Sequence, residues 1–332
     1  MKINCFLLLI MFLLMSCTQA PIAPTLDINH PLPTAQNIAT ADTSSLSNFN
    51  INGRILVYTP KGVYLANADG TSPFLIHAIE SPLPMMSLSP DGMKFAYFSD
   101  NSLYVKDIIT GTVSIWNREM MGSIGGQLRW SPESKKIALT CSTPNVPTAS
   151  LCLIDESGSI EYLIKEENIA DEIVSPEYFI ELQDWSRDGS KLIFLYYSPS
   201  EKGQKQDFSI YYYDIVSKIT QLILDGKKQN MIFQIRGVNI SPDNKTLLIS
   251  SIGENSLSQI FALNMDTLSL VPLLLQELPN ASYTNPVWSN DNCCYYIHVE
   301  QDGFYQHTLI ADLTGNVILN LDIQGTVLQW VK

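Results

Sequence analysis

From residue 51 onward the chain is a succession of short apolar runs separated by polar turns, with almost no apolar residues recurring at the helical period. The runs Phe95 to Ser99, Ile137 to Cys141, Leu192 to Tyr197, Leu247 to Ser251 and Cys294 to Val299 have strand length and are nearly continuous, as expected of strands covered on both faces. Each follows a similar turn: Leu88-Ser89-Pro90-Asp91-Gly92, Trp130-Ser131-Pro132-Glu133-Ser134, Trp185-Ser186-Arg187-Asp188-Gly189, Ile240-Ser241-Pro242-Asp243-Asn244 and Trp288-Ser289-Asn290-Asp291-Asn292. Pro sets φ at the first corner, Asp bonds the backbone, and Gly or Asn takes the left-handed position. The serines are 42, 55, 55 and 48 residues apart, the length of a four-stranded propeller blade with variable loops.

A second turn recurs at Asn67 to Gly70, Asp107 to Gly111, Asp155 to Gly158, Asp214 to Lys218, Asn264 to Thr267 and Asp312 to Gly315. It occurs once more often than the first kind, so one blade must be assembled from both ends of the chain. Val327-Leu328-Gln329-Trp330 supplies the missing first strand and is predicted to pair with Arg54 to Tyr58, which closes the ring and removes exposed sheet edges. The expected fold is all-β, a six-bladed propeller of four-stranded antiparallel blades over residues 51–332.

These tandem turns resemble the blade motif of TolB-like propellers, also found in the propellers of prolyl oligopeptidase-family peptidases. Trp130, Trp185 and Trp288 with their Ser and acidic partners match it well, whereas Leu88 and Ile240 replace the tryptophan and Ser134, Asn244 and Asn292 the glycine.

The N-terminus follows a different pattern. Lys2, an apolar run from Cys5 to Met15 and Ser16-Cys17 form a signal peptide over residues 1–16, too short to span a bilayer comfortably. Its Leu14-Met15-Ser16-Cys17 ending resembles the lipobox of bacterial lipoproteins, which implies cleavage before Cys17, a diacylglycerol on its sulfur, and acyl chains such as palmitate. Residues 17–50, rich in Pro, Thr, Ala, Ser and Asn, read as a lipidated flexible tether. The expected location is the bacterial cell envelope, extracytoplasmic, at the outer membrane or cell surface. The net charge of −13 argues against nucleic acid and against attraction to anionic headgroups, leaving the lipid as the membrane attachment.

Of the remaining cysteines, Cys141 and Cys152 fall on adjacent strands of one hairpin, where either a disulfide or two buried thiols fit. Cys293 and Cys294 are expected on opposite faces of a strand, as packing residues. His298 and His307 face each other if Glu300 and Tyr305 close their hairpin in register, but two imidazoles make no metal site without a third ligand. No GxSxG, HExxH, GxxxxGK or DxDxDG motif is present, so neither catalytic residues, a metal nor a cofactor is assigned.

The tight turns share one propeller face and the longer loops the other, so binding is expected on the loop face. Its channel entrance should be ringed by Ser87, Arg129, Asp184, Asn239, Val287 and Gln329, with Arg236, Tyr178, Phe179 and Tyr283 above them. The leading functional expectation is a scaffold or binding module for an unidentified protein, peptide or glycan. The alternative is an extracytoplasmic propeller enzyme, either a metal-dependent lactonase type or glycan-processing.

Overall fold

The computed structural model describes residues 53–331 except 80–84, 118–126, 144–145, 165–178, 199–206, 230–231, 233, 254–256, 274, 276–279, 302–303, 322 and 324. The signal peptide, the tether, Cys17 and Tyr178 lie outside the described residues. Among the described residues no helix is long and apolar enough to cross a membrane.

The described strands form six four-stranded antiparallel sheets. In order from the axis outward, the second blade is Met86–Leu88, Lys94–Ser99, Ser102–Asp107 and Val113–Asn117. The third is Arg129–Trp130, Lys136–Thr143, Val146–Asp155 and Ile160–Ile164; the fourth is Phe179–Trp185, Lys191–Tyr197, Phe208–Asp214 and Thr220–Asp225. The fifth is Gln234–Ile240, Thr246–Ile252, Ser258–Asn264 and Leu270–Leu273; the sixth is Ala281–Trp288, Tyr295–Gln301, Phe304–Ala311 and Val317–Leu321. The first blade joins Thr326–Val331 from the end of the chain to Arg54–Thr59, Gly62–Asn67 and Phe74–Ala78, with Ile55 opposite Trp330. The closure expected from the unequal turn counts is therefore present.

The apolar residues of the second strands separate into six buried clusters, and each cluster lies between two neighbouring blades. Successive innermost strands touch all the way round, including the sixth blade against Thr326–Val331. Burial on both faces explains why these strands read as continuous apolar runs rather than alternating ones.

The first turn of each repeat depends on its serine as much as on its proline. Ser89, Ser131, Ser186, Ser241 and Ser289 each accept, at Oγ, the backbone N–H five residues on, at 2.8 to 3.2 Å. In four turns the serine hydroxyl also donates to the aspartate two residues on. The fourth corner residue is left-handed throughout, at Gly92, Ser134, Gly189, Asn244 and Asn292, with φ between 59° and 77°.

Candidate functional site

The residues expected around the channel share one architectural job: stitching each innermost strand to the next. Gln329 of the first blade accepts the Leu88 N–H at 2.9 Å and donates to the Leu88 carbonyl at 2.7 Å. The Trp130 indole N–H donates to the Ser87 carbonyl, joining the second and third blades. Arg129 Nε donates to Asp184 Oδ1 at 3.0 Å, joining the third and fourth. Asp184 Oδ2 accepts from Asn239 Nδ2 at 2.7 Å and from the Ile240 N–H at 2.9 Å, and Asn239 Oδ1 accepts the Trp288 N–H at 3.1 Å. Asp184 also accepts the Trp185 N–H, so four donors converge on one buried carboxylate. Burial pushes this carboxyl upward, against Arg129 and the two backbone donors, which favour its charged form.

At the remaining joint the corresponding residue is Val287. There His298 Nε2 accepts the Val327 N–H at 2.8 Å, and the Tyr296 hydroxyl donates to the Ala68 carbonyl. Burial holds His298 neutral, down at about 4. His298 and His307 do not face one another. Glu300 pairs with Tyr305 as expected, but a bulge between Val299 and Glu300 then places His298 opposite Thr308 and Val299 opposite His307.

A cavity of about 340 Å³ is bordered both by the tight turns and by the innermost strands. The turn residues Pro90, Pro132, Arg187, Pro242 and Asn290 surround it, with Trp130, Trp185, Trp288 and Trp330 further in and Arg129, Asp184, Asn239 and Gln329 at the waist. Of the expected entrance residues, Arg129, Asp184, Asn239, Val287 and Gln329 line this funnel, whose other described lining comes from the tight turns and the repeat tryptophans. Arg236 lies on the other side of the waist, in a recess of about 70 Å³ with Gln127, Gln183 and Asn285. Tyr283, expected above the entrance, is instead buried between the fifth and sixth blades, because the innermost strand Ala281–Trp288 already includes it.

Arg187, which the sequence reading passed over as a turn residue, is the main polar feature of the funnel mouth. It occupies the corner that three other turns give to proline, and it reaches across to the sixth blade, donating to the Asn290 carbonyl at 3.0 Å and to Asn290 Oδ1. A guanidinium carries about five N–H donors. Asn290 accepts two of them, and Arg187 also lines the cavity. Burial lowers Arg187 from its ordinary value, against the fields of Asp184 and Asp291. The replacement of proline by arginine was the available signal.

Cys141 and Cys152 are paired as a disulfide, with Cα atoms 6.0 Å apart on diagonal positions of one hairpin. It lies in the cluster between the second and third blades, remote in sequence from the funnel residues of the fourth to sixth.

The described residues define a closed six-bladed β-propeller. No family model matches the chain, and no curated protein matches it. Among solved structures, TolB from Acinetobacter baumannii is 19% identical with a TM-score of 0.62; the match covers 84% of this chain and 66% of that one, so the chain spans just under two thirds of its length. A TolB assigned as such in Agrobacterium tumefaciens is 15% identical with a TM-score of 0.58, covering 84% of this chain and 92% of that one. A prolyl endopeptidase matches at 15% identity and a TM-score of 0.51, covering 82% of this chain and 42% of that one. At these identities the likeness is one of fold.

Proposed function

We propose that the chain is a lipid-anchored, extracytoplasmic binding module, held to a membrane through Cys17, whose propeller takes a protein, peptide or glycan partner in the funnel. The carrying observation is the funnel: indole rings and prolines around a cavity of about 340 Å³, with the Arg187 fork at its mouth. That volume lies in the lower part of the usual pocket range of about 300 to 1,000 Å³. The indole N–H groups of Trp130, Trp185 and Trp288 are tied to the backbone carbonyls of Ser87, Gly189 and Asn239, so these tryptophans present fixed ring surface. Arg187 supplies directed donors for a carbonyl, carboxylate or sugar oxygen.

Binding is preferred over catalysis because the waist carboxylate is already committed. Asp184 accepts four hydrogen bonds, and Asp91 serves the Ser89 hydroxyl and the Met93 N–H of its own turn. The test is capture of partners from detergent-solubilised envelopes of the cells that make the protein. Arg187→Ala should weaken capture about tenfold, about 1.4 kcal/mol, while Leu222→Ala on the outer strand of the fourth blade leaves it unchanged. Equal capture by both variants overturns the funnel. Metabolic labelling with palmitate should mark the wild type and not Cys17→Ser; label retained on the variant overturns the anchor.

A further inference from the structure

Cys293 and Cys294 do not lie on opposite faces of a strand. Both precede the strand that begins at Tyr295, within the first turn of the sixth blade, and their sulfurs are 2.7 Å apart. A disulfide bond is about 2.0 Å long, so the pair sits close to bonding distance. The turn holds both backbones in place, Cys293 N–H donating to Asp291 Oδ1 at 3.1 Å and Cys294 N–H to Ser289 Oγ at 3.2 Å. The corresponding positions of the other turns are Met93-Lys94, Lys135-Lys136, Ser190-Lys191 and Lys245-Thr246, so the dithiol is particular to this blade.

We propose that Cys293 and Cys294 form a redox-active dithiol that closes to a disulfide between sequence neighbours, and that its closure loosens Arg187 at the funnel mouth. The oxidant is a small or protein disulfide such as oxidised glutathione. Cys293, the more accessible of the two, attacks one of its sulfurs as a thiolate, forming a mixed disulfide and expelling one thiolate. Cys294 then gives up its proton and attacks Cys293 Sγ, expelling the second thiolate. Two protein thiols are oxidised, one external disulfide is reduced to two thiols, and the two protons end on them. Burial raises both thiols, so exchange is slow near neutral pH and quickens in alkali.

The link to the funnel is mechanical. Neighbouring Cα atoms are about 3.8 Å apart, below the roughly 4.4 Å at which ordinary disulfides begin, so closure must shift the turn. Asn290 lies in that turn and holds Arg187 through two hydrogen bonds.

The test equilibrates the full chain in glutathione buffers of graded potential, blocks free thiols with a maleimide, and weighs the peptide spanning both residues. The expected result is a change from a doubly alkylated peptide to one that carries no maleimide and weighs two hydrogens less than the unmodified dithiol peptide. A peptide that stays doubly alkylated across the series, or stops at a glutathione adduct, overturns the dithiol. For the coupling, oxidation should shift the Tm of the wild type by more than that of Arg187→Ala, since removing the partner removes the shared interaction. Equal shifts in the two proteins overturn the coupling.

Discussion

The three joints from the third blade to the sixth and the joint between the sixth and first blades hold their blades by different chemistry. Across the three, a chain of polar groups runs from Arg129 through Asp184 and Asn239 to the Trp288 backbone, crossing three blade boundaries. At the sixth-to-first joint the matching residue is Val287, and the contacts are a neutral buried histidine, a tyrosine hydroxyl and the Tyr296 ring 4.5 Å from that of Trp330. A buried ion pair fixes register more reliably than it adds stability. The chain also links the blades at both kinds of joint, whereas its two ends meet in the antiparallel pairing of Thr326–Val331 with Arg54–Thr59. The funnel inherits the difference, with Arg129, Asp184, Asn239 and Arg187 on one wall and Val287, Leu328 and Trp330 on the other.

The largest expected effect comes from breaking the polar side. Asp184→Ala leaves Arg129 without its buried partner and should cost about 3 to 5 kcal/mol in urea unfolding. Replacing both residues together, Asp184→Leu with Arg129→Met, should recover only the share due to the unpaired guanidinium, since Asn239 and the Trp185 and Ile240 N–H groups still lose their acceptor; a double variant as weak as the single one would show that the guanidinium contributes none of the loss.

The sixth-to-first joint should instead be sensitive to acid. Unfolded His298 takes up its proton near pH 6.5, and folded His298 at about 4, so the unfolded state holds the extra proton between those values. Its contribution is complete above about pH 6.5 and lost as pH falls toward 4, on the order of 3 kcal/mol. His298→Gln should flatten that part of the stability curve, and an unchanged slope would place the acid sensitivity elsewhere.

A smaller effect is expected at Gly53, whose φ is +108° and where a Cβ would stand 2.5 Å from the Val331 carbonyl oxygen. Gly53→Ala should cost about 1 to 3 kcal/mol through the strained backbone, measured by thermal unfolding. If it is neutral, the closure is looser than its contacts imply.

The smallest effect belongs to the turns, which serve both sides alike. Ser186→Ala and Ser289→Ala should each cost about 1 kcal/mol, and a large inequality between them would show that the turns differ in their work. Burial works to raise Asp188, but donors from Ser190, Ser186 and Asn244 outweigh it and hold the carboxyl at about 2. Its contribution is therefore present above about pH 4 and lost as pH falls through about 2.

The blade count, the closure by Trp330 and the turn chemistry were legible because each is written in a local, repeated pattern. The funnel was only partly legible. Arg129, Asp184, Asn239 and Gln329 could be placed on the axis by their position before each repeat tryptophan or its equivalent, but that the tight turns also line the cavity depends on contacts between blades that are distant in sequence. Arg187 was hidden inside a motif already explained as structure. His298 and His307 were misaligned by a single bulge, and Cys293 and Cys294 were misplaced because their strand starts one residue later than its apolar run. Bulges and strand starts are set by partners distant in sequence, which local patterning does not record.

The most direct test of the binding account is site-specific photo-crosslinking in the cells that make the protein, with the probe placed in turn at Pro242 on the funnel rim, at Arg236 in the opposite recess, and at Leu222 on an outer strand. The account predicts a discrete partner adduct at Pro242 that weakens with Arg187→Ala and is absent at Leu222. Adducts at Arg236 or Leu222 with none at Pro242 would contradict it.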